Sequence, residues 1–375
     1  MAGLRDRLLA SRRFQRWAAA FPLTRTVSRR RARALFDLVA GFSYSQVLLA
    51  CVQLNLFELL AERPRSVREL AGSVALSEEA AQRLVSAAIA LKLLERRRGD
   101  RIGLGPLGAP MVGNAALIAM VRHHALVYAD LRDPVALLRG EDSGTQLAGY
   151  WPYAADADPR HLDDDRVAAY STLMSASREL VADEILDAYP FHRHRCVMDV
   201  GGGEGGFVMS VLERAPQLLG IVFDLPAVAE RARRRLAQRG LAQRTEAVGG
   251  DFFRDALPRA ADVATLVRVL HDHDDAGVLR ILRAVHAALP ADGRLVVAEP
   301  MADTRGAEAM SDAYFGFYLL AMGRGRARSP AELGELLRCA GFIDVRMLRN
   351  AMPLQTRLMC ARVGPAVNPD RNSSR

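Results

Sequence analysis

Five ionisable side chains stand at the ends of apolar runs in the second half of the chain, and their types suit cofactor binding and proton transfer. Asp199, Asp224 and Asp251 each follow a run that is typical of a buried strand. His271 and Glu299 follow two further runs of this kind. Carboxylates accept hydrogen bonds from ribose hydroxyls and amino groups, and histidine is the natural general base near neutral pH. We therefore predict a site with three cofactor-binding carboxylates and a catalytic His271 that Glu299 orients.

A glycine cluster follows the first of these runs and predicts a tight turn from a strand into a helix. Residues 200–207 read VGGGEGGF. Glycine takes positive φ easily and has no Cβ to keep a ligand away. Gly201, Gly203 and Gly206 fit the dinucleotide pattern G-x-G-x-x-G, while Gly201, Gly203 and Gly205 fit the G-x-G-x-G of S-adenosylmethionine enzymes. The glycines alone leave NAD, S-adenosylmethionine and a purely structural turn open.

The charges around this turn favour S-adenosylmethionine. Glu204 lies inside the turn and no lysine or arginine does, so the pyrophosphate of a dinucleotide would be repelled whereas a sulfonium would not. Asp224, one turn and one helix later, is the expected acceptor for ribose hydroxyls. Asp251 can accept from the adenine amino group while Phe252 or Phe253 packs on the ring. An NAD-dependent oxidoreductase is the alternative.

The elements that would bring these residues together alternate between strand and helix. The apolar runs predict strands over 195–200, 220–223, 245–248, 261–270, 293–298, 343–348 and 358–362. Alternating strands and helices form a doubly wound α/β sheet, whose parallel strands present their carboxyl ends at one edge. All five side chains are therefore expected at that edge. The alternative for His271 is a solvated loop histidine amid Asp272, Asp274 and Asp275.

The region before this sheet is small and helical. Ser66 and Glu69 form a predicted capping box, Ser77 opens the next helix, and a charged hairpin surrounds residues 99–100. An apolar helix is predicted over 42–61. Helix, turn, helix and hairpin together are typical of a winged helix. Because the third helix turns apolar after its first residues, protein packing is favoured over DNA binding; a DNA-binding regulator is the alternative.

The composition is that of a soluble globular protein with room for two domains. The 375 residues are 50% hydrophobic and 25% charged, with a net charge of +8 and a pI of about 9.8. Lys92 is the only lysine, and a GC-rich genome produces such an arginine bias, so the charge does not indicate nucleic acid binding. The four cysteines include no C-x-x-C pair, which predicts free buried thiols in a reducing compartment and no metal site.

The first 34 residues form a basic arm with interspersed apolar side chains. Phe14 and Trp17 stand among its arginines. The arm either packs on a partner subunit or contacts an anionic membrane surface. We find no secretory signal and expect no apolar window long enough to span a membrane, because Gln53 and Asn55 interrupt the most apolar run. The protein is expected to be cytoplasmic, either soluble or peripheral to a membrane.

Five ordered motifs resemble those of the small-molecule O-methyltransferases, typified by plant caffeate enzymes. The motifs are Val197 to Gly205, Phe223 to Pro226, Gly250 to Phe253, Arg268 to Asp272 and Val297 to Pro300. The resemblance covers nearly the whole chain. It implies a Rossmann-like class I methyltransferase domain behind an all-helical, winged-helix dimerisation domain. It also implies S-adenosylmethionine as the methyl donor and a homodimer.

The resemblance also assigns site residues. It implies that His271 is the base and that Glu299 supports it. The cofactor-binding positions that the motifs carry are Asp199, Gly201, Gly203, Gly205, Asp224, Leu225, Asp251, Phe252 and Arg268. The chain departs from the plant pattern at two places: His273 replaces a cofactor-contacting tryptophan, and Ala327 stands where a second glutamate would lie beside the base. Glu299 alone would then support His271.

Within that family, the segments 44–51, 150–154 and 312–323 are similar to the bacterial carotenoid methyltransferases. Those enzymes methylate the tertiary hydroxyl of acyclic 1-hydroxycarotenoids such as hydroxyneurosporene and demethylspheroidene. The similarity implies a long polyene acceptor and a location at the photosynthetic intracytoplasmic membrane. A bacteriochlorophyllide ring or another aromatic or polyketide hydroxyl is the alternative acceptor. The implied pocket walls are Tyr170, Met174, Tyr314, Phe315 and Met322.

The predicted domain organisation follows from these segments. Residues 1–34 form the arm, 35–160 the dimerisation domain, 161–365 the methyltransferase domain and 366–375 a disordered tail. A long amphipathic helix is predicted over 163–188 at the start of the methyltransferase domain.

Overall fold

The computed structural model describes residues 3–141, 144–150, 181–353 and 355–364. The chain folds as two compact units, Met1–Asn114 and Ala115–Arg375. The division falls earlier than the predicted boundary at 160, because helices that follow Asn114 pack with later parts of the chain. The predictions that lie outside the described residues are those for 151–154, most of the helix over 163–188, Tyr170, Met174 and the tail at 366–375.

The first unit consists of helices and one small antiparallel hairpin. Its elements are α1 (Leu4–Ala10), α2 (Arg12–Ala20), α3 (Arg25–Gln53), α4 (Leu56–Glu62), α5 (Val67–Ser73), α6 (Glu78–Ala90), β1 (Leu94–Arg96) and β2 (Ile102–Leu104). The capping box is confirmed: Glu69 N donates to Ser66 Oγ, and Ser66 N donates to Glu69 Oε2. Ser77 caps α6, and Gly99 lies in the hairpin turn with a φ of 65°. The predicted order of helices and hairpin is therefore present.

The predicted helix over 42–61 is wrong at both ends. α3 already begins at Arg25 and ends at Gln53, and α4 follows after a short break. The break contains Asn55, whose φ of 52° is left-handed. Asparagine tolerates this conformation better than most residues, so the chain leaves the helix there. Arginine is a strong helix former, which explains why α3 extends into the predicted arm.

α3 also corrects the expectation that no segment is long enough to span a membrane. It has 29 residues, and by length and composition alone it could cross a bilayer. Five arginines and Asp37 lie in its first half, and the apolar stretch that follows is interrupted by serine and glutamine, which add no charge. Helices of soluble proteins reach the same length and composition, so this property of α3 carries no conclusion about location.

The second unit is built around one sheet. Its described strands are β3 (Cys196–Val200), β4 (Leu219–Asp224), β5 (Thr245–Gly249), β6 (Val263–Val267), β7 (Arg294–Glu299), β8 (Phe342–Leu348) and β9 (Arg357–Val363). They pair in the order β5-β4-β3-β6-β7-β9-β8, in which β9 is antiparallel to both of its neighbours and the other pairs are parallel. The predicted doubly wound sheet is confirmed. The order reverses between β3 and β6, the switch point at which such sheets bind ligands.

Helices cover both faces of this sheet. The helices of this unit are α7 (Ala115–Asp130), α8 (Pro134–Arg139), α9 (Gln146–Tyr150), α10 (Gly206–Arg214), α11 (Pro226–Gln238), α12 (Asp275–Ala288), α13 (Phe315–Ala321) and α14 (Pro330–Cys339), together with a helical segment over 181–188. Of these, α10, α11, α12, α14 and the segment over 181–188 pack on the sheet. Every residue of β3 is buried, and its side chains alternate between two apolar clusters. α10 and α11 contribute to one cluster, and α12 and α14 contribute to the other.

A third apolar cluster joins the helices after Asn114 to α13. Val127 of α7, Leu137 of α8 and Leu147 of α9 pack with Phe315 and Leu319 of α13. A π-helical turn, Ala309–Tyr314, leads directly into α13. Turns of this kind are rare and occur often at functional sites.

Candidate active site

The glycine turn after β3 has the backbone conformation that its sequence predicts. Gly201, Gly203 and Gly205 have φ values of 68°, 59° and 79°, which residues with a Cβ rarely adopt. The N–H groups of Gly201 and Gly202 donate to Phe223 O at the end of β4, at 2.8 and 3.2 Å. The turn therefore folds tightly over the sheet edge, and α10 begins directly after it.

Asp199 supports this turn from within the sheet. It is fully buried, and its Oδ1 accepts a hydrogen bond of 2.7 Å from the Thr265 hydroxyl on β6. A Cβ on Gly202 would lie 3.1 Å from its Oδ2, so the carboxylate lies beneath the turn. The geometry shows how Asp199 positions the turn, and its direct contact with a cofactor stays a prediction.

Asp224 links the end of β4 to the glycine turn. Its Oδ2 accepts from Gly203 N at 2.7 Å, and its Oδ1 accepts from Leu225 N at 2.8 Å. Its main-chain oxygen accepts from Gly250 N at 2.9 Å, which connects β4 to the turn after β5. The carboxylate is thus fixed beside the switch point. A carboxylate oxygen can accept more than one hydrogen bond, and a vicinal diol such as that of ribose is a suitable donor at this position.

Asp251 and two phenylalanines follow β5. Asp251 Oδ1 accepts from Phe253 N at 2.8 Å. The rings of Phe252 and Phe253 meet edge to face at 4.8 Å, and both contact the ring of His273. Burial lowers the pKa of His273 to about 4, so its ring is neutral at pH 7. A neutral aromatic surface therefore lies beside a carboxylate, an arrangement that suits a purine ring.

The predicted charge of the glycine turn needs a correction. Glu204 lies 3.8 Å from an Arg231 nitrogen and 3.6 Å from an Arg235 nitrogen, both on α11. These guanidinium groups offset its negative charge, which sequence reasoning missed because they come from the helix after the next strand. Glu204 by itself therefore does not distinguish a sulfonium cofactor from a dinucleotide.

His271 and Glu299 form a buried pair at the carboxyl ends of β6 and β7. His271 Nδ1 lies 2.5 Å from Glu299 Oε2, and the histidine is only 8% exposed. Glu299 Oε1 accepts from the N–H groups of Val269 and Leu270 at 2.9 and 2.7 Å. Glu299 thus holds Nδ1 as a donor and leaves Nε2 as the nitrogen that can accept a proton. The burial contradicts the alternative of a solvated loop histidine.

A second carboxylate, which was not assigned to the site from the sequence, approaches the other nitrogen of this histidine. Asp272 Oδ1 lies 3.2 Å from His271 Nε2. Burial on its own would lower the pKa of His271, but Asp272 and then Glu299 raise it above its ordinary value of 6.5. The two carboxylates therefore stabilise the imidazolium that forms when His271 takes up a proton. The position directly after the histidine could have signalled this role.

The other acidic residues of this loop have structural roles. Asp274 is the N-cap of α12 and accepts from Gly277 N at 2.7 Å. Asp275 forms ion pairs with Arg326 and Arg328, at 3.1 and 2.8 Å. Asp274 and Asp275 are exposed to solvent, and each is bonded within the protein.

Arg268 stands at the end of β6 in a strained conformation. Its φ is 56°, and its N–H donates to Ala298 O at 2.8 Å. Its guanidinium lies 5.4 Å from the ring centre of Phe315, and that ring lies 6.1 Å from the ring of His271. A predicted cofactor residue and a predicted pocket residue thus meet beside the base. Strain of this kind is concentrated at functional sites.

The predicted acceptor wall continues along the π-helical turn and α13. His124 Nε2 lies 2.9 Å from the Tyr314 hydroxyl, and His123 Nε2 lies 2.9 Å from the Tyr318 hydroxyl. Burial lowers the pKa of His123 to about 4 and also lowers that of His124, so both rings are neutral at pH 7. The two histidines had no predicted role. Met322 is buried in the apolar cluster behind this wall.

The chain matches two family models in succession. Residues 36–114 match the O-methyltransferase dimerisation domain, and residues 128–343 match the O-methyltransferase domain. The first match contains the helices and hairpin of the winged-helix region, and the second contains the glycine turn, His271 and Glu299.

Known proteins resemble the chain over most of its length. It is 44% identical to demethylspheroidene O-methyltransferase of Cereibacter sphaeroides over 347 residues, which cover 92% of this chain and 91% of that protein. It is 42% identical over 359 residues to the protein of that name in Rhodobacter capsulatus, with 96% and 89% covered. The structure of human N-acetylserotonin methyltransferase in complex with S-adenosylmethionine matches with a TM-score of 0.74 at 25% identity, over 89% of this chain and 98% of that one.

These matches decide between the alternatives that the sequence left open. The dimerisation model accounts for the winged-helix region and supports the predicted homodimer, which sets aside a DNA-binding regulator. The methyltransferase model accounts for the sheet and its glycine turn, which sets aside an NAD-dependent oxidoreductase. The chain belongs to the S-adenosylmethionine-dependent O-methyltransferase family.

Proposed function

We propose that this chain transfers a methyl group from S-adenosylmethionine to the tertiary hydroxyl of an acyclic 1-hydroxycarotenoid, such as hydroxyneurosporene or demethylspheroidene. The names of the two relatives at 44% and 42% identity support this acceptor. The observation that carries the chemistry is the buried pair of His271 and Glu299. A histidine held by a carboxylate is suited to take a proton from a hydroxyl.

The residues at the switch point fit the methyl donor. The Asp224 carboxylate can accept from the ribose hydroxyls, and the aromatic surface of Phe252 and Phe253 can pack on adenine. Gly201, Gly203 and Gly205 take the positive φ values that keep the turn tight at the switch point, beside which the methionine part would lie. When bound, S-adenosylmethionine supplies an electrophilic methyl group on a positively charged sulfur.

His271 removes the proton that the acceptor hydroxyl loses. Its Nδ1–H donates to Glu299, so the proton is accepted at Nε2, where Asp272 stabilises the resulting charge. A tertiary alcohol is a far weaker acid than imidazolium, so deprotonation before methyl transfer is excluded on energetic grounds. The proton therefore moves late, as the new carbon–oxygen bond forms, and alignment of the reactants supplies most of the rate.

The wall beside the base suits an acceptor with an apolar chain. The hydroxyls of Tyr314 and Tyr318 are already engaged by His124 and His123, and these histidines are neutral. The rings of both tyrosines and of Phe315 can therefore pack on an acceptor that has no polar group for the hydroxyls to bond. A polyene, which has many sp² carbons and no polar groups along its length, fits such a surface.

The proposal is tested by incubating the purified protein with labelled S-adenosylmethionine and a panel of acceptors. The panel contains 1-hydroxycarotenoids, a bacteriochlorophyllide and simple phenols. We expect label in the hydroxycarotenoids, and label confined to another class would overturn the proposed acceptor. His271→Ala should cut turnover by roughly a hundredfold or more while S-adenosylhomocysteine still binds. Turnover near that of the native protein in this variant would remove His271 from the mechanism.

We propose further that the basic arm contacts an anionic membrane, which would bring the enzyme to a lipid-soluble acceptor. Ten arginines lie between residues 5 and 33 with Asp6 as their one acidic neighbour, and all ten are exposed in the single chain. Trp17 is 52% exposed and stacks on Phe21 at 5.0 Å. Arginines with exposed aromatic rings are typical of interfacial helices. The location would be cytoplasmic and peripheral to the photosynthetic membrane.

Sedimentation with phosphatidylglycerol–phosphatidylcholine vesicles tests this contact, with pure phosphatidylcholine vesicles as the control. We expect binding only to the anionic vesicles, and we expect salt to weaken it. Arg12→Gln with Arg13→Gln and Arg16→Gln should reduce binding, whereas Arg96→Gln with Arg98→Gln, which changes exposed arginines of the hairpin, should not. Equal binding by both variants would contradict the proposal and favour packing of the arm on the partner subunit.

A further inference from the structure

A buried arginine holds the turn that carries the base. Arg328 is 4% exposed and lies directly before α14. Its Nη1 donates to Leu270 O at 2.9 Å and its Nη2 donates to His273 O at 2.7 Å. These two carbonyl groups flank His271. Its Nε donates to Asp275 Oδ1 at 2.8 Å, so all three nitrogens of the guanidinium are engaged by the loop of the base.

The segment around this arginine, residues 324–329, also reaches the strand end that carries Glu299. Ala302 N, three residues after Glu299, donates to Arg328 O at 3.0 Å. We call this segment the strap. It contacts the loop of His271 through the Arg328 side chain and the loop after β7 through the Arg328 main chain. It therefore joins the loop of His271 to the segment that directly follows Glu299.

A glycine of the strap lies against the backbone of the base itself. Gly325 has a φ of 85°, and a Cβ there would overlap His271 O and lie 2.7 Å from the carbonyl carbon of Asp272. Gly323 has nearly the same φ, 86°, but a Cβ there would meet only Ala148, at 3.9 Å. The close approach is thus a property of Gly325 and not of positive φ as such.

The arrangement supports the turn of His271 in addition to the carboxylates of Glu299 and Asp272. A guanidinium is a planar fork with fixed directions, so bonding two carbonyl groups and a carboxylate determines how the bonded turn is oriented. A lysine carries the same charge but has no fork. Small errors in the placement of a catalytic group are costly for rate.

We propose that Arg328 and Gly325 are positioning residues that fix the turn of His271 against Glu299. This inference rests on the proposed role of His271 as the base. Neither residue need touch the acceptor or the cofactor, so their effect should appear in turnover and in the pH dependence of turnover. The affinity for the methyl donor should stay unchanged.

The first test compares Arg328→Lys with Arg326→Lys. Arg326 also contacts Asp275, but its side chain lies on the surface, pairs with Glu332 and reaches no carbonyl of the base's turn. We expect Arg328→Lys to lower kcat by roughly tenfold to a hundredfold, with KM for S-adenosylmethionine and affinity for S-adenosylhomocysteine within about twofold of native. Arg326→Lys should keep native kcat.

The pH profile separates positioning from a general loss of structure. The charged and titratable groups facing His271 are Glu299, Asp272, His273 and Arg268. A loosened turn weakens the bond to Glu299, so the acid limb of kcat/KM should move to lower pH in Arg328→Lys. A variant that is only less stable would contain fewer active molecules, and the acid limb of its kcat/KM would stay at the native pH.

The second test compares Gly325→Ala with Gly323→Ala. Both substitutions place alanine at the same positive φ, so the backbone strain is matched. Only Gly325→Ala pushes on His271, and we expect it alone to lower kcat by about tenfold or more with unchanged cofactor binding. If Arg328→Lys does not fold, the comparison of Gly325→Ala with Gly323→Ala still tests whether this segment positions His271.

Equal kcat and equal acid limbs of the pH profile within each pair of variants would overturn the inference. A loss of cofactor affinity that parallels the loss of kcat would also overturn it. Either result would leave the proposed function intact while His271→Ala is inactive; an active His271→Ala would instead overturn the base itself.

Discussion

The Nδ1 atom of His271 and the Oε2 atom of Glu299 lie 2.5 Å apart, while the other oxygen of Glu299 accepts from the main chain of the turn that carries the histidine. One buried carboxylate thus determines both the orientation of the imidazole and the shape of its turn. It also favours the tautomer with the proton on Nδ1, because this contact is shorter than the 3.2 Å between Nε2 and Asp272 Oδ1.

Glu299→Gln should reverse this tautomer. The glutamine oxygen can still accept from Val269 N and Leu270 N, which leaves its NH₂ group facing Nδ1. Nδ1 then becomes an acceptor and Nε2 carries the proton, so the base is blocked. We expect kcat to fall by about a hundredfold or more, with S-adenosylhomocysteine affinity retained. Nitrogen NMR shifts of His271 should show the changed tautomer, and the exposed Glu335→Gln should behave as native.

The pH dependence of activity should follow the carboxylates around His271. A base must be neutral to act, so kcat/KM rises as the pH passes the pKa of His271. Burial would lower this pKa, but Asp272 and then Glu299 raise it above 6.5, which places the acid limb above 6.5. Asp272→Asn removes one negative charge and should move the limb to lower pH. Asp274→Asn, which keeps the N-cap of α12, should leave the acid limb at its native pH. An acid limb that does not move in Asp272→Asn would contradict the role of Asp272 in raising the pKa of His271.

Asp224→Asn should weaken cofactor binding through the glycine turn. The carboxylate accepts from Gly203 N and from Leu225 N, and an amide can satisfy only one of these donors. We expect the affinity for S-adenosylhomocysteine to fall by about tenfold to a hundredfold, measured by calorimetry.

Asp262→Asn is the matched control for that loss. Asp262 also accepts from main-chain donors, Arg195 N at 3.0 Å and Cys196 N at 2.8 Å, but at the amino ends of the strands. This variant keeps Oδ1 for both donors but loses the carboxylate oxygen that lies 3.1 Å from His194 Nδ1, so it should be less stable and yet bind S-adenosylhomocysteine with native affinity. Equal losses of affinity in both variants would mean that Asp224 acts only through stability.

The tyrosines of α13 and its π-helical turn should affect the acceptor and not the donor. Tyr314→Ala removes a ring face, so KM for a hydroxycarotenoid should rise by about tenfold, while KM for S-adenosylmethionine stays native. Tyr314→Phe keeps the face but leaves His124 without its 2.9 Å hydroxyl partner, so it should cost about 1 kcal/mol of stability and little in KM. Thermal unfolding and acceptor titrations measure both effects. A native KM in Tyr314→Ala would remove this ring from the pocket.

The sequence by itself determined the features that depend on neighbours along the chain. The turn at Gly201, Gly203 and Gly205 was predictable because positive φ is a local property of glycine. Apolar runs locate strands, and parallel strands end at a common edge, so the meeting of His271 with Glu299 followed from two strand ends. The capping box at Ser66 was local in the same sense.

The tertiary structure decided what depends on residues far apart in the chain. Arg231 and Arg235 offset the charge of Glu204, and Arg328 bonds the turn of His271. His124 contacts the hydroxyl of Tyr314. These residues are far apart in the chain, so hydrophobic periodicity does not predict their contacts. The early start of α3 and its end before Asn55 were likewise missed, since many residues can either continue or end a helix. Residue types and their positions after strands are enough to predict His271 as the base and Glu299 as its carboxylate. Packing alone decides which charges are offset and which groups hold the base in place.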